Sequence, residues 1–151
     1  MQHISLQAAA TLTEWSVRTL RRRLADGSLN CATNEAYYKT MICFDSIKHD
    51  ICIALDPDDL ELIKTADAGD AKAQTDLAVL FLTNNKPKSA VYWLELAAKQ
   101  CVADAMQLLG CCYLKGDGLV KDDNLAIMWI AKAASLGHSI ALAQIQSIRL
   151  I

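Results

Sequence analysis

The amino-acid sequence predicts a mainly α-helical chain in two parts: a small domain of two short helices and a hairpin, then a short stack of helical hairpins. Three observations predict it. Most of the C-terminal two thirds repeats itself at helical spacing; the first 55 residues set two capped helix patterns before a run of strand formers; and charge divides unevenly between the parts. Residues 1–55 carry six basic and five acidic groups, whereas residues 56–151 carry nine basic and twelve acidic, so the parts are expected to do different jobs.

At 151 residues, 53% hydrophobic, 21% charged and with a mean hydropathy of +0.17, the chain has the composition of a packed protein with apolar surface to spare for a partner. Its apolar runs are far shorter than the ~20 residues of a membrane span, and the N-terminus lacks a signal pattern, so a cytoplasmic, bacterial protein is expected. Six cysteines form no C-x-x-C pair and read as free, mostly buried thiols.

In the first domain, Ser5 is placed to cap a helix from Leu6 to about Leu12, with Leu6, Ala9, Ala10 and Leu12 inward. Ser16 caps a second, with Val17, Leu20 and Leu24 on one face and Gly27 ending it. Two short helices joined by a tight turn make a helix-turn-helix. The opposite face presents Arg18, Thr19 and Arg22, flanked by Arg21 and Arg23. Leu29 to Cys31 and Tyr37 to Phe44 then read as strands around the turn Ala-Thr-Asn-Glu, a hairpin or wing, and Asp45 as the cap of one further helical turn.

The run Ser16 to Arg21 (S-V-R-T-L-R), its helical surroundings and the following wing resemble winged helix-turn-helix domains of the MerR and excisionase type over residues 3–50. That resemblance implies a second helix in the major groove of double-stranded DNA. Arg18, Thr19, Arg21, Arg22 and Arg23 would then contact bases or phosphates, with Tyr37, Tyr38 and Lys39 on the wing. The competing expectation is that the arginines solvate a face or pair with Glu14, Asp26 or acidic groups further along the chain.

Asp56-Pro57-Asp58 opens a helix at 58–69, which aligns with later second helices through Gly69/Gly137 and Ala73/Ala141. From Ala73 and from Ala105 two units match at Leu77/Leu109, Ala78/Gly110, Phe81/Tyr113, Ala90/Ala126, Trp93/Trp129, Ala97/Ala133 and Ala98/Ala134. Each unit reads as two helices: the small residue lets the backbones approach, and the ring of Phe81 or Tyr113 packs toward Trp93 or Trp129. Asp122 or Asp123 caps the second helix of the second unit, and Cys101 stands where the other units end in glycine. The last segment, from His138, is apolar, and its exposed end is expected to dock on the N-terminal domain or a second copy.

The pattern A-x3-L-G-x2-Y-x2-G-x-G-L-V-x-D…A-x2-W-x2-K-A-A-x2-G-x3-A, from Ala105 to Ala141, closely resembles the Sel-one-like repeat, a relative of the tetratricopeptide repeat. The resemblance implies an α-solenoid that binds protein. The fold class expected is therefore mainly α, a small winged helix-turn-helix domain at 1–55 plus a short α-solenoid of Sel-one-like helical hairpins at 58–151, with about two and a half repeats.

No catalytic, cofactor-binding or metal-ligating set is found in the sequence. His3, His49 and His138 are far apart and read as surface or capping residues, and there is no P-loop, dinucleotide motif or H-E-x-x-H. The expected function is a DNA-binding transcriptional regulator or adaptor whose repeats bind a protein partner, with a homodimer expected through the apolar C-terminal helix. The alternative is a non-enzymatic interaction scaffold whose winged helix no longer binds DNA.

Overall fold

The computed structural model describes residues 3–32 and 40–148, and for Cys31 and Ala32 the backbone alone. The chain divides into two compact units, Met1–Asp67 and Ala68–Ile151.

In the first unit, β1 (His3–Ser5) runs into α1 (Leu6–Thr13), a short turn leads to α2 (Val17–Ala25), and β2 (Cys31–Ala32), β3 (Met41–Cys43) and α3 (Pro57–Asp67) follow. Both expected caps form: the Ser5 hydroxyl accepts from the Ala8 amide at 3.1 Å and Ser16 from Thr19 at 3.1 Å. Each such cap contributes about 1 kcal/mol by satisfying an amide the helix leaves without a partner. Helix α1 buries Leu6, Ala8, Ala9 and Leu12, whereas Ala10 stays half-exposed. Helix α2 anchors through Leu20 alone, with Val17 and Leu24 half-buried.

The strands form an antiparallel sheet with β3 central, pairing Ile4 with Ile42 and Cys31 with Ile42. Strand β1 was not expected from the sequence; it is too short to show an alternating pattern. The Ala-Thr-Asn-Glu turn of the expected hairpin lies outside the described residues apart from the backbone of Ala32. After β3 the chain makes two 3-10 turns, Phe44–Ser46 and Lys48–Asp50. Asp45 does not cap them; the first begins at Cys43 with no side-chain cap bond, and the Ser46 hydroxyl donates to the Cys43 carbonyl instead.

Helix α3 departs from expectation in allegiance, since it belongs to the first unit and not to the helical stack. The Asp67 carboxylate accepts both the Ser5 amide (2.8 Å) and the Ser5 hydroxyl (2.5 Å), tying the end of α3 to the start of α1. The same helix contacts β1 and buries Ile63 and Ala66. Among the described residues of this unit, Ile4, Leu12, Leu20, Ile42, Ile47 and Ile63 are the fully buried large ones.

The second unit is wholly helical among its described residues: α4 (Ala71–Thr83), α5 (Pro87–Lys99), α6 (Ala103–Lys115), α7 (Asp123–Ser135) and α8 (Ser139–Ser147). Helices α4 and α5 pack as one hairpin, α6 and α7 as a second, and α8 packs on α7. Ala73, Ala105 and Ala141, the equivalent positions of α4, α6 and α8, are all buried. Asp70, Asp122 and His138 cap α4, α7 and α8 through side-chain acceptors, and Pro87 opens α5 at its first turn, where the missing amide costs nothing. Two amide pairs brace the stack: Gln100 donates to Gln74 at 2.9 Å, and Gln107 donates to Gln144 at 3.0 Å.

The turn between α5 and α6 is the least favourable of the series. Gly69 and Gly137 take positive φ (112° and 89°), and Cys101, at the equivalent place, is held at φ 66° with an exposed side chain. A residue with a Cβ is strained in this left-handed region by about 1–2 kcal/mol. Glycine relieves that strain but loses more backbone entropy on folding, so Cys101→Gly should stabilise the unit by about 0.5–1 kcal/mol. A urea melt read by circular dichroism checks it, and a lower midpoint would show that the turn is not strained.

Candidate interaction sites

Two surfaces stand out, one in each unit. The first is α2. Ser16 starts the helix and Leu20 holds it to the core, which leaves Arg18, Arg21 and Arg22 exposed. Arg23 lies half-buried with its guanidinium 4.0 Å from the centre of the Trp15 ring, a cation–π contact. Among the described residues no carboxylate comes within ion-pair distance of these four arginines. The nearby Asp26 carboxyl is held below its usual range chiefly by hydrogen bonds from the Ser28 hydroxyl and amide, and then by the charges of Arg22 and Arg23. Arg22 and Arg23 also occupy the last turn, where positive charge suits the helix dipole.

Thr19 also takes part in the start of the helix. Its hydroxyl lies 3.0 Å from that of Ser16 and the residue is half-buried, so it belongs to the cap of α2. Tyr37, Tyr38 and Lys39, the expected wing contacts, lie outside the described residues. The structure thus brings the five α2 candidates onto one short helix, and it adds Trp15, which was not among the expected contacts. Its signal was an indole in the inter-helix turn eight residues before an arginine.

The second surface lies at the α7–α8 end of the helical unit. Among the exposed large apolar side chains, all but Val79 fall between Leu114 and Ile148. The repeat register explains most of this exposure. Val91 on α5 is 7% exposed, while its equivalent on α7, Ile127, is 43% exposed. Likewise Trp93 is buried and Trp129 is only half-buried, with Lys132 Nζ 4.9 Å from its ring centre. The expectation that both tryptophans are core residues therefore holds fully only for Trp93, because α5 is covered by the second hairpin and the outer face of α7 is covered by α8 alone.

A groove of about 580 Å³ opens here, lined by Leu114, Ile127, Ile130 and Ile148 with Gln144 and Ser147, and edged by a Lys121–Asp123 pair at 3.6 Å. In the first unit a smaller cleft of about 370 Å³ lies among Phe44, Ile51, Ile53, Leu55 and Leu60.

Of the described cysteines two are buried, Cys43 and Cys112. Burial raises the Cys112 thiol to about 11, with Asp117 and Cys111 adding to the effect, so it stays protonated and unreactive at neutral pH. Burial, then Glu95 and Asp122, also raises the Tyr113 hydroxyl. His138 acts as a helix cap, as expected: its Nδ1 accepts from the Ala141 amide at 3.2 Å, and its Nε2 donates to Asp104 at 2.7 Å. Among the described residues no group of three potential metal ligands comes together, and no helix is long and apolar enough to cross a membrane.

The helical hairpins of the second unit make it a short α-solenoid, a class in which each hairpin packs chiefly on its neighbours. Its repeats are Sel1 repeats: the family model matches residues 71–100 and 103–138. Among solved structures, a Sel1 repeat protein from Oxalobacter formigenes is 34% identical with a TM-score of 0.51, and the match covers 56% of this chain and 66% of that one. The protein c5321, a protective antigen of uropathogenic Escherichia coli strains with an SLR fold, is 33% identical with a TM-score of 0.56, covering 61% of this chain and 21% of that one. No curated protein matches the chain. None of these likenesses carries the winged helix-turn-helix resemblance of the first domain or a DNA-binding role.

Proposed function

We propose that the chain is a non-enzymatic, cytoplasmic interaction module whose Sel1 repeats hold a protein partner. The observation that carries this reading is the exposure of Ile127 and Trp129, whose equivalents Val91 and Trp93 are covered inside the stack. Apolar area left open in this way gains about 25 cal/mol for each Å² that a partner removes from water. A photo-reactive amino acid placed at Ile127 should capture a defined partner in cells, and the same group at Lys99, on an exposed and charged part of α5, should not. Equal labelling at both positions would sink the assignment of the surface.

A second reading is favoured by one observation: Arg18, Arg21 and Arg22 point to solvent and have no carboxylate in ion-pair range among the described residues. In this reading the first domain is a winged helix-turn-helix of a transcriptional regulator or adaptor. Arg18, Arg21, Arg22 and Arg23 then meet double-stranded DNA, and Tyr37, Tyr38 and Lys39 sit on the wing. Affinity for a labelled duplex should fall linearly in log salt, and each arginine that neutralises a phosphate should add about 1 to the slope. Arg18→Ala/Arg22→Ala should flatten that slope. An absence of binding at low salt would leave the arginines as the solvated face of a scaffold domain.

A further inference from the structure

We propose that Trp15 is a positioning residue, whose indole holds the Arg23 guanidinium ready for the phosphate backbone of double-stranded DNA. The proposal rests on the second reading of the function, in which α2 meets a duplex, and adds a residue that prepares one of its contacts.

The backbone fixes the indole before any ligand arrives. Helix α1 ends at Thr13, and Glu14 turns the chain through a left-handed conformation at φ 61°. The Thr13 hydroxyl accepts from the Trp15 amide at 3.2 Å and itself donates to the Ala9 carbonyl at 2.8 Å. On the other side Ser16 caps α2. Trp15 is therefore half-buried between two anchored neighbours, and its ring has few places to go.

Helix geometry then gives the arginines different duties. Arg18 and Arg22, four residues apart, share one side of α2, whereas Arg21 and Arg23 flank Arg22 on opposite sides. A helix that lays its Arg18–Arg22 side in a groove of the duplex turns its flanks to the groove walls, which are lined by phosphates. The two flanks are not alike. Arg21 is exposed, whereas Arg23 is half-buried with its guanidinium over the Trp15 ring, 4.0 Å from the centre. A cation on a ring face uses no carboxylate or carbonyl acceptor, and among the described residues none pairs with Arg23. The nearby Asp26 instead accepts from the Ser28 amide and hydroxyl through Oδ1. The N–H donors of Arg23 thus remain for a phosphate, and the side chain has lost much of its rotamer freedom on folding instead of on binding.

Fluorescence anisotropy of the full chain with a labelled random-sequence duplex, measured across a salt series, tests this. Arg23→Ala should lower the log–log salt slope by about 1. Trp15→Leu keeps every charge, so the slope should hold while affinity falls about three- to tenfold, the cost of ordering one long side chain on binding. In an Arg23→Ala background Trp15→Leu should cost nothing further, and in an Arg21→Ala background its cost should be undiminished. An indole that serves the fold alone would cost the same in both backgrounds, and that result would overturn the proposal. So would a Trp15→Leu chain with wild-type affinity. Should circular dichroism show that Trp15→Leu is unfolded, NMR of the wild-type chain decides instead: the Arg23 side-chain protons should keep their ring-current displacement when duplex is added, and its disappearance would be overturning. A wild-type chain that binds no duplex at low salt defeats the second reading and this proposal with it. Wild-type binding without coupling between Trp15 and Arg23 defeats the proposal alone.

Discussion

Gly118→Ala should lower the stability of the helical unit by about 3 kcal/mol, the sum of a left-handed backbone penalty and an overpacking cost of similar size. Gly118 has φ 75°, where a Cβ is strained. The added methyl would also stand 2.6 Å from both the carbonyl carbon and the oxygen of Pro87, and 2.7 Å from the Lys88 amide. These are backbone atoms in the first turn of α5, so no rotamer change relieves the clash. The contact matters because it lays the α6–α7 loop of the second repeat onto the first and so joins neighbouring hairpins. Gly116→Ala is the control: its φ is similar (72°), but its nearest neighbour is the Lys121 Cβ at 3.3 Å, and about 1 kcal/mol is expected. In thermal unfolding the two should differ by roughly 10 °C. Equal melting temperatures would mean that the loop does not lie on α5.

Gly110→Ala should cost about 2 kcal/mol, the clash with Ile130 and Ala126 outweighing the roughly 1 kcal/mol by which alanine improves a helix interior. The first repeat shows how the loss can be restored, since it has Ala78 and Leu94 where the second has Gly110 and Ile130, and both of its residues are fully buried. Leucine moves its branch away from the backbone. Gly110→Ala combined with Ile130→Leu should therefore return to near wild-type stability, with a coupling of about 1–2 kcal/mol in a urea double-mutant cycle. Simple additivity would show that the two positions do not meet as the repeat register requires.

Much of the candidate surface was legible before any coordinates. Ser5, Ser16 and Asp122 cap the helices at which the sequence put them, and the apolar composition of the segment after His138 agrees with the exposure of Ile140, Leu142 and Ile148. The arginines of α2 are exposed as expected, because one buried leucine suffices to orient a helix of this length. Arg23 is the exception. Its cation–π contact with Trp15 joins residues eight apart across the Ser16 cap, a pairing outside the three- and four-residue spacings along a helix.

The sequence by itself determined the repeat register and hence the hairpins, because every helix in such a stack must place small and large side chains at fixed intervals to pack at all. Ala73, Ala105 and Ala141 are buried for that reason, and the aligned glycines and Cys101 share one turn conformation. Tertiary structure alone decided which unit claims α3 and which aromatic rings stay open. Helix α3 precedes Gly69 as α7 precedes Gly137, yet its Asp67 is bound to Ser5, 62 residues away in sequence. Trp93 and Trp129 occupy the same register, and one is covered while the other is half-open. Local spacing records what a helix can bury; what it does bury depends on which distant neighbour reaches it.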